Sequence, residues 1–220
     1  MKKGVVALAL AAVGMAGLPQ SAGAVSAPGD EQAREIYDAG RCIVRSDRRA
    51  AVRLMSSLPL DGVADVNASQ LGGAAGCVSP ALGRSSSVLL RGAIAQELYL
   101  GDFGEFGVEP RNRRILVDLN LPVDGDLAGA PAGTGELYKW ADCVVRNDTE
   151  NTERLLRTRV GSRQEATVIE TLRPYMSACI AAGTRLTVAP SELRSVFAQS
   201  AYNTLYRYWN RELRQADSRR

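Results

Sequence analysis

An eleven-residue segment that contains a cysteine occurs twice in this chain, in altered form. The first version, YDAGRCIVRSD, covers residues 37–47, and the second, YKWADCVVRND, covers residues 138–148. Tyr, Cys, Val, Arg and Asp occupy the same positions in both, whereas two unrelated segments of ordinary composition would share about one residue. We therefore interpret the chain as an internal duplication, which restricts its fold to one unit used twice.

The similarity continues to the end of each unit. Residues 90–99 (LRGAIAQELY) align with residues 193–202 (LRSVFAQSAY), and Arg84 aligns with Arg185. The repeat then covers most of residues 31–100, called the first segment below, and residues 136–208, called the second segment.

The four cysteines are divided equally between the two segments. Cys42 and Cys77 are 35 residues apart, and Cys143 and Cys179 are 36 apart. Four cysteines allow three sets of two disulfides. The duplication favours Cys42–Cys77 with Cys143–Cys179, because each unit would then have been a complete cross-linked module before it was copied.

The beginning of the chain predicts export. Lys2 and Lys3 precede a short apolar stretch that ends before the small residues Ala22-Gly23-Ala24. This order is typical of a signal peptide, so we predict that residues 1–24 are removed after Ala24 and that the mature protein is periplasmic or secreted. The apolar stretch is shorter than the about 20 residues that span a bilayer, and no later stretch reaches that length. We expect no transmembrane segment in the mature chain.

Charge argues against nucleic acid as a partner. Loss of Lys2 and Lys3 with the signal peptide lowers the formal net charge from +3 to +1. Nucleic-acid binding requires a concentrated positive surface, and the composition of a nearly neutral exported chain does not indicate one.

Apolar residues recur at helical spacing through both segments, which predicts helices rather than strands. In the first segment the predicted helices cover residues 31–45, a stretch opened by Ser46 or Asp47, residues 66–78 and residues 86–100. In the second they cover residues 136–146, a stretch opened by Asn147 or Asp148, residues 164–181 with a kink or break at Pro174, and a long run from Pro190. The predicted fold is all-α, with disulfide-stapled modules of about four helices at residues 25–108 and 136–220.

Residues 109–135 are predicted to connect the modules. Apolar residues alternate over 115–123, which indicates one extended strand or a segment laid along an apolar groove. Residues 124–135 (DGDLAGAPAGTG) have the composition of a Gly/Pro/Ala linker. Asp124 and Asp126 begin like a calcium loop, but the twelfth position is Gly135 where a bidentate Glu is needed.

The composition removes several classes of enzyme. The chain contains no histidine, which excludes Ser-His-Asp and Cys-His catalysis and histidine-ligated zinc. It also lacks a phosphate-binding loop of the GxxxxGK type. We predict no catalytic residue, no metal ligand and no cofactor.

Polar residues that match between the segments are the candidate site, and structural roles explain most of them. A cation suits the end of a helix, an Asp suits the start of the next, and a buried tyrosine hydroxyl needs a partner. These residues are Tyr37, Arg45, Asp47, Arg84, Tyr138, Arg146, Asp148 and Arg185.

Two functions remain open. The first is a non-catalytic binding protein of the bacterial envelope, whose partner is another envelope protein or an anionic lipid head group met by surface arginines. The second is a His-independent hydrolase with an acidic or Tyr/Arg site in the cleft between the modules. Two carboxylates converging in a deep pocket would favour the hydrolase.

Overall fold

The computed structural model describes residues 30–56, 72–78, 87–103, 114–116, 134–180 and 188–217. Within these ranges the regular structure is helical and no residue is in a strand, so the prediction of an all-α chain is confirmed. The helices are α1 (Asp30–Ser46), α2 (Arg48–Ser56), a 3₁₀ helix (Gly72–Cys77), α3 (Ser87–Asp102), α4 (Thr134–Asn147), α5 (Thr149–Arg157), α6 (Arg163–Ala178) and α7 (Pro190–Asp217). None of the described helices is long and apolar enough to cross a membrane.

Two disulfides are present and follow the predicted pairing. Cys42 on α1 is bonded to Cys77 at the end of the 3₁₀ helix, with their Cα atoms 5.6 Å apart. Cys143 on α4 is bonded to Cys179, which follows α6, at a Cα separation of 5.8 Å. Each bond therefore ties the first helix of a segment to the chain that precedes its last helix.

Side chains at the helix starts explain where several helices begin. Oδ1 of Asp47 accepts a hydrogen bond from the backbone N–H of Ala50, and Oδ1 of Asp148 accepts one from Asn151. Ser162 accepts one from the N–H of Glu165 at the start of α6. Each of these bonds satisfies an N–H that the first helical turn leaves without a partner.

The structure departs from the predicted elements at three places. The predicted helix over 66–78 is a 3₁₀ helix from Gly72, where three glycines disfavour an α-helix, and residues 66–71 lie outside the described ranges. Residues 114–116 form a helical turn that buries both Ile115 and Leu116, so the extended strand is wrong there; residues 117–123 are not described. Pro174 does not break α6, because its neighbours are exposed and water can satisfy the carbonyl that loses its N–H partner.

One hydrophobic core includes helices from both segments. Its centre is the pair α3 and α7, which carries the aligned residues 90–99 and 193–202. The two helices approach so closely that a Cβ at Gly92 would lie 2.2 Å from Cβ of Ser195. Helix α1 packs on α3 in a similar way, since a Cβ at Gly40 would lie 2.6 Å from Cβ of Ala93. Helix α4 packs on α7.

Candidate binding cleft

The two matched tyrosines are both buried and both reach α7. The hydroxyl of Tyr37 lies 2.9 Å from Oγ of Ser195 and 3.4 Å from the carbonyl oxygen of Ser191. The hydroxyl of Tyr138 donates to Oε1 of Gln199 at 2.6 Å. Burial raises the pKa of each phenol well above its usual value, since the phenolate would lose its hydration.

The other matched residues lie apart from these tyrosines, at helix ends. Arg45 is exposed in the last turn of α1, and Arg146 in the last turn of α4 donates to Oδ2 of Asp142 at 2.7 Å. Asp47 and Asp148 cap α2 and α5 as described above. The remaining two, Arg84 and Arg185, lie outside the described residues. The eight matched residues thus do not form one site among those that are described.

A fully buried arginine connects the two segments. Nε of Arg194 on α7 donates to Oε1 of Glu165 at 2.9 Å, and Nη1 donates to Oε1 of Gln96 on α3 at 3.1 Å. Its remaining bonds go to the end of α5 and the residue that follows it, namely the carbonyls of Leu156 and Thr158 and Oγ1 of Thr158. A buried cation requires this number of acceptors, so the network fixes α3, α7 and the α5–α6 turn relative to one another.

A cavity of about 460 Å³ lies above this network, between α1 and α3 on one side and the end of α5 with its following turn on the other. Its inner wall includes Tyr37, Gln96 and Thr158, each of which also contacts Arg194. We call this cavity the cleft. It lies between the first and the second segment, and both supply its walls.

Arginines dominate the charge of the cleft. Two carboxylates, Asp38 and Glu97, also line it, and both are paired with Arg41 at 3.1 and 3.3 Å. The cleft lining therefore carries a surplus of positive charge. The four arginines are Arg34, Arg41, Arg157 and Arg159.

The arginines differ in how far they are already occupied. Arg157 donates through Nε and Nη2 to Oε1 of Glu153. Arg34 uses only Nε, which donates to the carbonyl oxygen of Val160 at 3.2 Å. Arg159 is exposed, and its guanidinium makes no hydrogen bond or ion pair with the described residues. Because a guanidinium has five N–H donors, Arg34 and Arg159 have donors left for a ligand.

Gln96 faces the cleft with one half of its amide. Its Oε1 must be the atom beside Arg194, because an arginine can only donate, and this fixes the orientation of the amide. Its Nε2 makes no hydrogen bond with the described residues, although the side chain lines the cleft and is only 5 % exposed. The two N–H groups of Nε2 therefore remain available to donate to a ligand in the cleft.

An acid–base pair is not evident in the cleft. Burial raises the pKa of Asp142, against the opposing effect of Arg146, but Asp142 does not line the cleft. The two carboxylates that do line it share Arg41. Among the described residues no group of three Cys, Asp or Glu side chains is placed to hold a metal ion.

Comparison with known proteins adds no function to this description. The chain matches no protein-family model, no curated protein and no solved structure. Sequence reasoning had aligned Arg91 with Arg194 and Gln96 with Gln199, but it did not select these residues as a site. The signal that could have found them is the pair of Arg and Gln five residues apart in both segments.

Proposed function

We propose that this protein is an exported, non-catalytic binding protein of the bacterial envelope, built from a duplicated helical module. Its ligand site is the cleft between the two modules. The observation that carries this proposal is the arginine-rich cleft with the half-satisfied amide of Gln96, a set of donors without an acceptor. The modules cover residues 25–108 and 136–220, with residues 109–135 as their connector.

Similar contacts at matching positions support the duplication. In each segment a disulfide joins the first helix to the chain before the last helix, and an aspartate caps the second helix. Two further contacts join the segments through the matched helices. Arg194 donates to Gln96 in the first segment, and Gln199 donates to the carbonyl of Val88 in the first segment at 3.2 Å.

Export is supported by the predicted signal peptide over residues 1–24 and by the two disulfides. Disulfides form and persist in oxidising compartments, which include the periplasm and the cell exterior. A periplasmic or secreted binding protein would meet other envelope proteins and anionic lipid head groups, the partners that its arginines suit.

The alternative, a His-independent hydrolase, has weaker support. Asp38 and Glu97 lie in the cleft, but a hydrolase needs one carboxyl group to deliver a proton and another to act as base or nucleophile. Both groups instead bind the same guanidinium, that of Arg41. The cleft therefore offers donors to an anion more readily than it offers acid–base catalysis.

Affinity capture from an envelope extract tests the proposal. We expect the oxidised mature protein to enrich a partner or lipid that an Arg34→Gln, Arg159→Gln variant does not enrich. The matched control is Arg154→Gln, because Arg154 is an exposed arginine on α5 outside the cleft. Turnover of an ester, glycoside or peptide substrate that is lost in Glu97→Gln would contradict the proposal in favour of the hydrolase.

A further inference from the structure

We infer that the cleft recognises a phosphate group, with Gln96, Arg34 and Arg159 as its donors. This inference rests on the proposed function, because it takes the cleft as the ligand site. The phosphate belongs either to a soluble phosphate monoester or to a lipid head group, and both sources present the same oxyanion.

The placement of the donors on three elements favours phosphate over carboxylate. Gln96 is on α3, Arg34 is on α1, and Arg159 is in the turn between α5 and α6, so the three donors come from three separate elements. A carboxylate offers two oxygens in one plane, whereas a terminal phosphate offers three strong acceptor oxygens around a tetrahedral centre. A group approached from three sides matches the phosphate.

The fold holds the side chain of Gln96 in a fixed position in the cleft. The side chain is 5 % exposed, and its Oε1 is held by Arg194, which is itself fully buried and bound to Glu165. The unoccupied Nε2 is therefore positioned before any ligand arrives. A positioned donor loses little conformational freedom on binding, which favours affinity and specificity.

Arg34 is positioned in a similar way. Its Nε–H bond to the carbonyl of Val160 fixes the guanidinium at the edge of the cleft and leaves its terminal N–H groups without partners among the described residues. Arg159 is one residue before Val160 and adds to the same edge a charge that has no partner among the described residues. The surplus of arginines over carboxylates in the lining matches the charge of about −1.5 to −2 on a phosphate monoester.

The size of the cleft indicates that the phosphate is part of a larger ligand. A cavity of about 460 Å³ is within the range of small-molecule sites, roughly 300–1,000 Å³, and exceeds what one phosphate fills. Leu100, Leu156 and Val160 also line it. These apolar side chains suit the carbon skeleton of a phosphorylated metabolite or the glycerol region of a lipid.

Calorimetric titration of the oxidised mature protein tests the inference with defined probes. The probes are inorganic phosphate and glycerol 3-phosphate, with succinate as a dianion of different geometry. Sedimentation with vesicles that contain phosphatidic acid, against vesicles of phosphatidylcholine alone, tests the lipid source. We expect the phosphate probes to bind at least about tenfold more tightly than succinate, which corresponds to one well-made charge-assisted hydrogen bond. Equal binding of succinate would overturn the assignment to phosphate.

Gln96→Glu is the informative variant. It keeps the acceptor for Arg194 and the shape of the side chain, but it replaces the Nε2 donor by an oxygen and adds a negative charge. We expect Gln96→Glu and Arg159→Gln each to weaken phosphate binding at least about tenfold. Arg154→Gln should leave binding within about twofold, since exposed charges outside the site contribute little. Thermal unfolding of each variant shows whether it is folded.

The outcomes separate this inference from the proposed function. If phosphate, glycerol 3-phosphate and phosphatidic acid all fail to bind, or bind Gln96→Glu and Arg159→Gln as tightly as the unmodified chain, the inference is wrong. The proposed function still stands in that case if capture of an envelope partner is lost in Arg34→Gln, Arg159→Gln. Catalytic turnover lost in Glu97→Gln would instead overturn the proposed function, whatever phosphate does.

Discussion

Gln96 and Gln199 occupy matching positions in the two segments, yet among the described residues only Gln199 uses both halves of its amide. Gln199 accepts from Tyr138 at 2.6 Å and donates to the carbonyl of Val88 at 3.2 Å, so both halves of its amide are used inside the core. Gln96 accepts from Arg194 and makes no bond through Nε2 with the described residues. The same residue type thus completes the core on one side and leaves a donor in the cleft on the other.

The residues around the two glutamines also differ, in their charge. Arg41 and Glu97 form an ion pair at the cleft in the first segment. The positions that align with them hold Asp142 and Ser200, whose side-chain oxygens are 3.5 Å apart. An arginine in one segment therefore matches an aspartate in the other. The matched positions also differ in place, because Arg41 and Glu97 line the cleft, whereas Asp142 and Ser200 do not.

The largest expected effect concerns the buried arginine that holds Gln96 in place. Arg194→Met removes the ion-pair partner of Glu165, which is buried and would keep the backbone N–H of Gly161 as a donor but no cation. Breaking one side of a buried ion pair costs about 3–5 kcal/mol of unfolding free energy. Urea denaturation at pH 7 measures this cost, with the exposed Arg154→Met as the control.

A double variant shows whether the cost comes from the stranded carboxylate. Arg194→Met combined with Glu165→Met removes both charges of this pair, so we expect it to lose less stability than Arg194→Met alone. A loss of less than about 1 kcal/mol in the single variant would mean that Arg194 does not fix the inner wall of the cleft.

The two disulfides should contribute nearly equal stability. Their loops of 35 and 36 residues give about 3.8 kcal/mol each in the chain-entropy model. We expect Cys42→Ser with Cys77→Ser, and Cys143→Ser with Cys179→Ser, to lower the unfolding free energy by similar amounts. Denaturation of both double variants under identical conditions measures the difference. A difference of more than about 2 kcal/mol would show that the cross-links act unequally on the native packing of the segments.

The contrast between the glutamines themselves predicts a smaller effect. Gln199→Glu removes the donor to the carbonyl of Val88 and places a carboxylate oxygen there, in a side chain that is fully buried. We expect a loss of about 2–3 kcal/mol. Gln96→Glu places its new oxygen toward the arginines of the cleft and should cost less than about 1 kcal/mol. Urea midpoints of the two variants show which one loses more stability. A larger loss in Gln96→Glu than in Gln199→Glu would refute the contrast between the cleft and the core.

Sequence patterns predict most of the described helices and both cross-links, but not the contacts between segments. Helical spacing predicts a buried face for each helix, and the two Cys spacings predict one disulfide within each segment. Neither says which helix the buried face meets. The Arg and Gln five residues apart in both segments mark Arg194 and Gln96, but that spacing does not show that the two, 98 residues apart, bond to each other. Arg34 and Arg159 have no sequence signal, because an exposed arginine in a chain rich in arginine looks like any other.

The failed predictions have a local cause. The alternation over 115–123 predicted an extended segment, but Ile115 and Leu116 are adjacent and both buried, which a strand with one apolar face does not allow. The glycines between Gly72 and Cys77 permit the turn geometry of a 3₁₀ helix where spacing alone indicated an α-helix. In both cases the spacing of apolar residues is compatible with more than one backbone conformation.

The smallest expected effect compares the two matched tyrosines at high pH. Burial raises the pKa of both phenols above the usual value of about 10, so above that pH the unfolded chain loses these protons while the folded chain keeps them. Stability that is present below pH 10 must therefore fall as the pH rises, by about 1.4 kcal/mol per pH unit for each tyrosine. Urea denaturation at intervals from pH 9 to pH 11 measures this slope. We expect Tyr37→Phe and Tyr138→Phe each to reduce this slope by about 1.4 kcal/mol per pH unit.

At pH 7 the same two variants should differ, since their hydroxyls have different partners. Tyr138→Phe leaves Oε1 of Gln199 without its donor inside the core and should cost about 1–2 kcal/mol. Tyr37→Phe should cost less than about 1 kcal/mol, because Oγ of Ser195 still donates to the carbonyl of Ser191. If either variant kept the full slope above pH 10, water would reach that hydroxyl in the folded chain. For Tyr37, on the inner wall of the cleft, such a result would extend the cleft down to Ser195.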